Sequence, residues 1–353
     1  MSAITLTAIS AFEVVCFREN NESIGRQVII FFLKFIVKRH NRFRKSSISG
    51  KITSFKNHFP SLQPQNLFFC RILTPLYTEP VHLPLPSHNV SVLRLDRLHP
   101  VTGGNKQFKL KYNLDAYSHS GKKGIVTIGG AYSNHIAATA AVCMEQQIAC
   151  IGIIRGEESN QLSTTLVRAR AQGMQLHFVS RTAYRKYRLI QELESEFPDY
   201  YCIPEGGNNA EGVKGCEEIL LLAEGQFDII VTGCGTGATL AGIIRSLPEG
   251  SVALGINVTK SGQALDEEVK QWTGNSNGSK FSINHDYHFG GYAKKNEELL
   301  GFIKQFNSEN TFAIEPVYTG KVFYAITNLL RKGELAAHAK VLVLHTGGLQ
   351  YLL

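Results

Sequence analysis

With 353 residues, 43% apolar and 19% charged, the chain has the size and composition of one large or two ordinary globular domains. Its formal charge of +8 lies almost wholly in residues 1–65, where ten Lys or Arg accompany three Glu; the remainder carries only +1, which excludes a broad nucleic-acid face on the body. The seven cysteines are odd in number, scattered and without a C-x-x-C, which excludes a disulfide framework or structural zinc site and points to a reducing, cytoplasmic setting.

Residues 1–65 read as a basic, poorly ordered extension. The apolar run from Val28 to Val37 is too short to span a bilayer and is interrupted by Lys34. It lacks a small-residue cleavage pattern, so a signal peptide is not expected. A basic helix lying on a membrane is the competing reading. Pro60, Pro64, Pro75, Pro80, Pro84 and Pro86 then impose an extended lead-in without long regular elements.

Val90 to Leu95 alternates as a strand, and Asp96 to Pro100 is a loop. Gly103 and Gly104 allow a tight turn, and the periodic run Phe108, Leu110, Tyr112 and Leu114 predicts a helix with Lys106 near its start. A lysine beside a positive helix end is discouraged from carrying charge, and a neutral lysine is a Schiff-base nucleophile. Read alone, the stretch is equally a basic surface helix.

From here strand, glycine turn and helix repeat. Strands are expected at 124–128, 148–154, 176–179, 200–203, 227–232, 252–258 and 341–344. Helices are expected at 136–144, 163–171, 184–196, from about 212 to 223, and at 240–246, 266–272, 296–306 and up to 331; residues 274–292 read as loop-rich. The alternation implies an α/β fold of parallel sheets covered by helices on both faces.

Ligands in such folds sit at the carboxyl ends of the strands, where the glycine turns fall. The turn Gly233-Cys234-Gly235-Thr236-Gly237-Ala238-Thr239 offers backbone amides and a helix N-terminus, a phosphate cradle unless it is a plain tight turn. A dinucleotide would ask for an acid about 20 residues on, at the end of the next strand, and Gly255 to Val258 supplies none. No G-K-[ST] follows the glycines, so a Walker loop also fails. A small phosphate beside a helix-start lysine suggests pyridoxal phosphate, with the ring as electron sink. Lys109, three residues beyond Lys106, could reach the phosphate. Ser133, Asn134 and His135 open the alanine-rich helix and suit a substrate carboxylate, with a simple N-cap competing for Ser133.

Six pieces, "RLDRLHPVTGGNKQFKLKYNL", "TIGGAYSNHIAATAA", "IPEGGNNAEGVKG", "VTGCGTGATLAGI", "EPVYTGK" and "LHTGG", occur in order from about residue 90 onward. Together they resemble the 1-aminocyclopropane-1-carboxylate deaminase and D-cysteine desulfhydrase family, of the tryptophan synthase β-like, type II fold of pyridoxal-phosphate enzymes. The resemblance implies a large cofactor-binding domain of residues 66–112 and 205–353, with a small domain of 113–204 inserted, and a homodimer. It implies that Lys106 binds the cofactor aldehyde and that Ser133 is a nucleophile or substrate contact. Asn134 would lie near the ring, and Gly233 to Thr236 would hold the phosphate. Cys234, Gly237 and Thr346 count among the cofactor contacts. Tyr318 would face cofactor and substrate, with Tyr292 as a second active-site tyrosine. Gln107 and Lys111 are left as ordinary surface residues.

Where deaminases of the cyclopropane substrate place a glutamate against the pyridine nitrogen, this chain has Thr319. Threonine can only hydrogen-bond, which makes a weaker electron sink. Opening a cyclopropane with no α-hydrogen asks more of the sink than β-elimination does. The resemblance therefore implies release of pyruvate, ammonia and sulfide from D-cysteine or a similar small amino acid. The alternative is conversion of 1-aminocyclopropane-1-carboxylate to 2-oxobutanoate and ammonia. A third reading, a non-catalytic cofactor- or amino-acid-binding protein, would show cofactor absorbance without turnover.

Overall fold

The computed structural model describes residues 78–99, 103–274 and 281–348. The expected N-terminal extension, the run 28–37 and the first prolines lie outside the described residues. Among the described residues ten strands form two sheets. The first holds β1 (Thr78–Pro80), β2 (Asn89–Arg94), β7 (Ile229–Cys234), β8 (Val252–Asn257), β9 (Phe281–Asn284) and β10 (Lys340–His345), in the order β1-β2-β10-β7-β8-β9. The second is built within 124–203 from β3 (Gly124–Gly130), β4 (Ala149–Arg155), β5 (Gln175–Val179) and β6 (Tyr200–Ile203), in the order β5-β4-β3-β6.

All pairings are parallel except the edge strand β1, which runs antiparallel to β2. That exception departs from the all-parallel expectation. β1 leads into β2 through the short loop 81–88, and only antiparallel strands can be joined so tightly. Strand β3, GIVTIGG, is buried at every position, as a parallel strand with helices on both faces must be.

The helices are α1 (Asn105–His119), α2 (Asn134–Gln146), α3 (Thr164–Ala171), α4 (Arg181–Tyr184), α5 (Ile190–Glu196), α6 (Ala210–Cys216), α7 (Ala238–Arg245), α8 (Gln263–Thr273), α9 (Glu297–Glu309) and α10 (Thr319–Arg331). The single helix expected at 184–196 is broken. Leu189 is extended (φ −85°, ψ 117°), while Tyr184, Tyr187 and Leu193 pack beneath β3 and β4. Burial of three large side chains outweighs the continuous helical propensity of that charged segment. Strand β9 emerges from the loop-rich stretch because it pairs with β8 (Ala253 opposite Phe281), a contact no local pattern encodes.

Two strand ends matter for function. β7 and β10 lie side by side, so the glycine turn after β7 and the Thr346-Gly347-Gly348 turn after β10 open at the same place. This is the carboxyl-end crevice at which α/β sheets bind ligands.

Candidate active site

Lys106 is the second residue of α1, and the turn before it explains its placement. Gly104 takes φ +123° and pairs with Gly347 across an isolated antiparallel bridge. A Cβ on Gly104 would lie 2.1 Å from the carbonyl oxygen of Thr346, so only glycine permits this approach. The Asn105 amide then donates to Thr346 O (3.3 Å), and α1 starts beside the end of β10. Thr346 thus contributes its backbone to the site.

The Lys106 Nζ donates to Asn105 Oδ1 (3.0 Å), and Asn105 Nδ2 donates to Thr239 Oγ1 (2.8 Å) in the first turn of α7. Asn105 therefore ties the lysine to the helix that follows the glycine turn, a role nothing in its local pattern announces. Burial, and secondarily the neighbouring Lys109 ammonium, bring the Lys106 amine down to about 7. A large fraction is then neutral and nucleophilic near physiological pH.

The glycine turn forms the floor. Gly237 is the N-cap of α7 at φ +88° with no side-chain cap, so the first amides of α7 have no protein side chain closing them. A Cβ on Gly235 would meet the Tyr318 ring edge at 3.6 Å, and one on Gly206 would meet Thr236 at 3.4 Å. The cradle is thus walled by Tyr318 on one side and by Gly206 on another. Cys234 lends only backbone; its buried thiol approaches Thr232 O (3.8 Å), and burial pushes it up to about 12. Lys109 donates to Gly206 O (2.9 Å), which places its ammonium at the wall of the cradle. Burial also lowers the pKa of Lys109, with partial opposition from Cys216 and Cys234.

On the α2 side, Ser133 is the N-cap: its Oγ accepts from the Ile136 amide (3.3 Å). Asn134 opens the helix, and a Cβ on Gly348 would lie 2.8 Å from its Nδ2 and 3.5 Å from Glu315 Cδ. His135 is 1% exposed and bonds Thr127 Oγ1 through Nε2 (2.9 Å). The Thr127 hydroxyl donates to Ile203 O (2.8 Å), so His135 must be the donor and carries its proton on Nε2. Nδ1 is a buried acceptor with no hydrogen-bond partner among the described residues. Burial first, then Lys106 and Lys109, hold this imidazole well below its ordinary pKa, hence neutral.

On the α10 side, Tyr318 is the N-cap residue and its ring faces that of Tyr292 (centroids 6.1 Å apart, interplanar angle 68°). Burial, with Tyr292 and two glutamates adding to it, raises the Tyr318 phenol well above 10. Tyr292 OH reaches Tyr132 O at 3.5 Å. Thr319 is buried, and its hydroxyl accepts from the Glu315 amide (3.0 Å) and donates to Glu315 Oε1 (3.2 Å). Glu315 is itself fully buried, with its carboxylate accepting from the amides of Val317, Tyr318 and Thr319 (2.6, 2.8 and 2.9 Å). Burial raises its pKa against the pull of those donors. Sequence reasoning passed over Glu315, although its position in "EPVYTGK" ahead of a helix start is a capping signal.

One surface assignment is corrected, that of Gln107, while Lys111 stays partly exposed in an ion pair. Gln107 is 5% exposed, turned inward by the packing of α1. Lys111 bonds both oxygens of Glu218 (2.7 and 2.6 Å), and Tyr112 shares that carboxylate (2.6 Å). The reason is that α1 and α6 nearly touch: a Cβ on Gly215 would lie 1.8 Å from Phe108 O.

The residues present fit pyridoxal phosphate. An uncapped helix N-terminus, glycines where side chains would fill the cradle, a depressed lysine, and the orphaned His135 Nδ1 converge on one crevice. Together with the two-sheet architecture they are what a pyridoxal-phosphate enzyme of fold type II requires. The comparisons agree: the pyridoxal-phosphate dependent enzyme family matches residues 72–347, and the chain belongs to it. A Pyrococcus horikoshii protein provisionally named 1-aminocyclopropane-1-carboxylate deaminase is 32% identical over 266 residues, 70% of this chain and 80% of that one. The Arabidopsis thaliana bifunctional D-cysteine desulfhydrase/1-aminocyclopropane-1-carboxylate deaminase is 28% identical, covering 76% and 77% of the two chains. A crystal structure of an ACC deaminase homologue superposes with a TM-score of 0.65 at 28% identity, covering 81% of this chain and 95% of that one. The chain is therefore a pyridoxal-phosphate enzyme of the ACC deaminase and D-cysteine desulfhydrase family. Among the described residues no helix is long and apolar enough to cross a membrane.

Proposed function

We propose that the chain catalyses β-elimination from D-cysteine or a similar β-substituted D-amino acid, consuming one water and releasing pyruvate, ammonia and hydrogen sulfide. The observation that carries this reading is the state of Thr319. Thr319 carries no charge, and its hydroxyl bonds Glu315 through both the amide (3.0 Å) and Oε1 (3.2 Å), so it brings no carboxylate of its own to hold a proton on a cofactor's ring nitrogen. Loss of a β-thiol tolerates that weaker sink. The bound cofactor supplies the sink for the electrons of the α-carbon.

The protein groups divide the remaining work. Lys106 would hold the cofactor aldehyde, and its Nζ, which burial brings down to about 7, would take the α-proton. Ser133 and Asn134 at the start of α2 bind the substrate carboxylate, where a helix N-terminus favours an anion, whereas the His135 imidazole, expected there too, is buried against Thr127 with no N–H to spare and is left out of that contact. Lys109 and the Gly233–Gly237 turn with Thr236 hold the phosphate. Tyr318 and Tyr292 flank the substrate and limit the entry of water. A second reading, ring-opening deamination of 1-aminocyclopropane-1-carboxylate, draws on the Glu315 carboxylate one hydrogen bond behind Thr319 and on the names of the relatives. The working form is expected to be a cytoplasmic homodimer, which sedimentation and cell fractionation would check.

Incubation of the holoenzyme with D-cysteine tests the proposal. Sulfide and pyruvate should appear in equal amounts, and Lys106→Ala should abolish both. Absence of sulfide from the unaltered protein overturns it.

A further inference from the structure

Lys321, the third residue of α10, is 0% exposed and has no role in the chemistry above. Its Nζ donates to three backbone carbonyls: Gly291 O at 2.7 Å, His288 O at 2.8 Å and Val258 O at 3.1 Å. An ammonium has three donors and no acceptor, so the three carbonyls match it and a neutral amine would leave one facing a lone pair. Burial pulls the Lys321 pKa down to about 8, with Glu315 opposing. None of its three partners is a carboxylate. A buried cation held only by carbonyls is a costly way to fill space, and an apolar side chain would fill it without that cost.

The carbonyls identify what the lysine holds. Val258 follows β8, and its amide bonds Cys234 O (3.2 Å) at the start of the glycine turn. His288 and Gly291 bracket a turn closed by Gly291 N–H to His288 O (3.0 Å). Within it Phe289 takes φ +52°, with Gly290 and Gly291 at +93° and +124°, and Ala293 just beyond it takes +57°. Non-glycine residues in the left-handed region persist only where their surroundings impose it. Tyr292 follows at once, with its ring against Tyr318, the N-cap of the helix that carries Lys321.

We propose that Lys321 is a positioning residue that pins the 288–292 turn onto the first turn of α10 and the end of β8, and so fixes Tyr292 against Tyr318 over the glycine turn. The inference rests on the reading that these two tyrosines flank the substrate. One side chain then sets the width of the slot between them, and through it the affinity for substrate.

The test has two arms on the full-length holoenzyme. The first is hydrogen exchange in wild type and Lys321→Met. The Gly291 and Lys294 amides, both bonded within the turn, should exchange at least tenfold faster in Lys321→Met, while amides of β3 and β4 keep their wild-type rates. The second is a double-mutant cycle with Tyr292→Ala on D-cysteine. Lys321→Met should raise KM about tenfold with little change in kcat when Tyr292 is present, and should have no further effect in Tyr292→Ala. Unchanged exchange in the turn, exchange raised throughout the protein, or additive effects in the cycle would each overturn the proposal. If the wild-type chain does not turn over D-cysteine, the elimination reading falls and exchange alone judges the anchor.

Discussion

The depressed amine of Lys106 is open to direct measurement in the cofactor-free protein. With a pKa of about 7, roughly nine-tenths of the Lys106 amine is neutral at pH 8, against about one part in 300 for a solvated lysine near 10.5. Trace acetylation across pH 5 to 10, quantified by mass spectrometry of the Lys106 peptide, reports that fraction as relative labelling rate. The curve should have its midpoint near 7, far below the ordinary range of a solvated lysine. Burial is the first cause and Lys109 the second, so Lys109→Gln should move the midpoint up but not restore it to the ordinary value. A linkage follows in sign: between about 7 and 10.5 the unfolded chain binds more protons at this lysine, so the cofactor-free protein gains stability as pH rises through that window. A Lys106 midpoint above 9, in the ordinary range of a solvated lysine, would show that burial does not depress this amine.

Two further outcomes follow from the site's scaffold. Gly104→Ala places a Cβ 2.1 Å from Thr346 O at a φ of +123°, and should cost more than about 3 kcal/mol in denaturant unfolding, with loss of cofactor absorbance in whatever protein folds. Glu315→Gln replaces an oxygen that faces backbone N–H groups with a donor, and should lower stability by about 2 kcal/mol while leaving the protein able to take up pyridoxal phosphate; thermal unfolding and a cofactor titration check the two halves.

The parts of this protein that are visible in its sequence are those whose cause is local. Gly103-Gly104 before an apolar-periodic run marks the turn and helix that carry Lys106, and the glycines at 233–237 mark a helix start without a side-chain cap. Parallel strands read directly from short apolar runs between glycine turns. The missing parts depend on distant partners. Lys321 looks like an ordinary helix-surface lysine until its three carbonyls arrive from positions 30, 33 and 63 residues away. Asn105 is one residue from Lys106, yet its function comes from Thr239, 134 residues on. The break at Leu189 and the strand Phe281–Asn284 answer to packing and pairing rather than propensity. Gln107 reads as surface because polarity is local information, whereas the close approach of α6 that encloses its helix is not.

If a neutral Thr319 rather than a carboxylate serves the cofactor, β-elimination is favoured over ring opening. The most direct measurement gives the purified holoenzyme D-cysteine and 1-aminocyclopropane-1-carboxylate in parallel and follows sulfide and 2-oxo acid. Sulfide with an equal amount of pyruvate is expected from D-cysteine, at a kcat/KM at least tenfold above that for 2-oxobutanoate from the cyclopropane. Rapid 2-oxobutanoate release with no sulfide would contradict it.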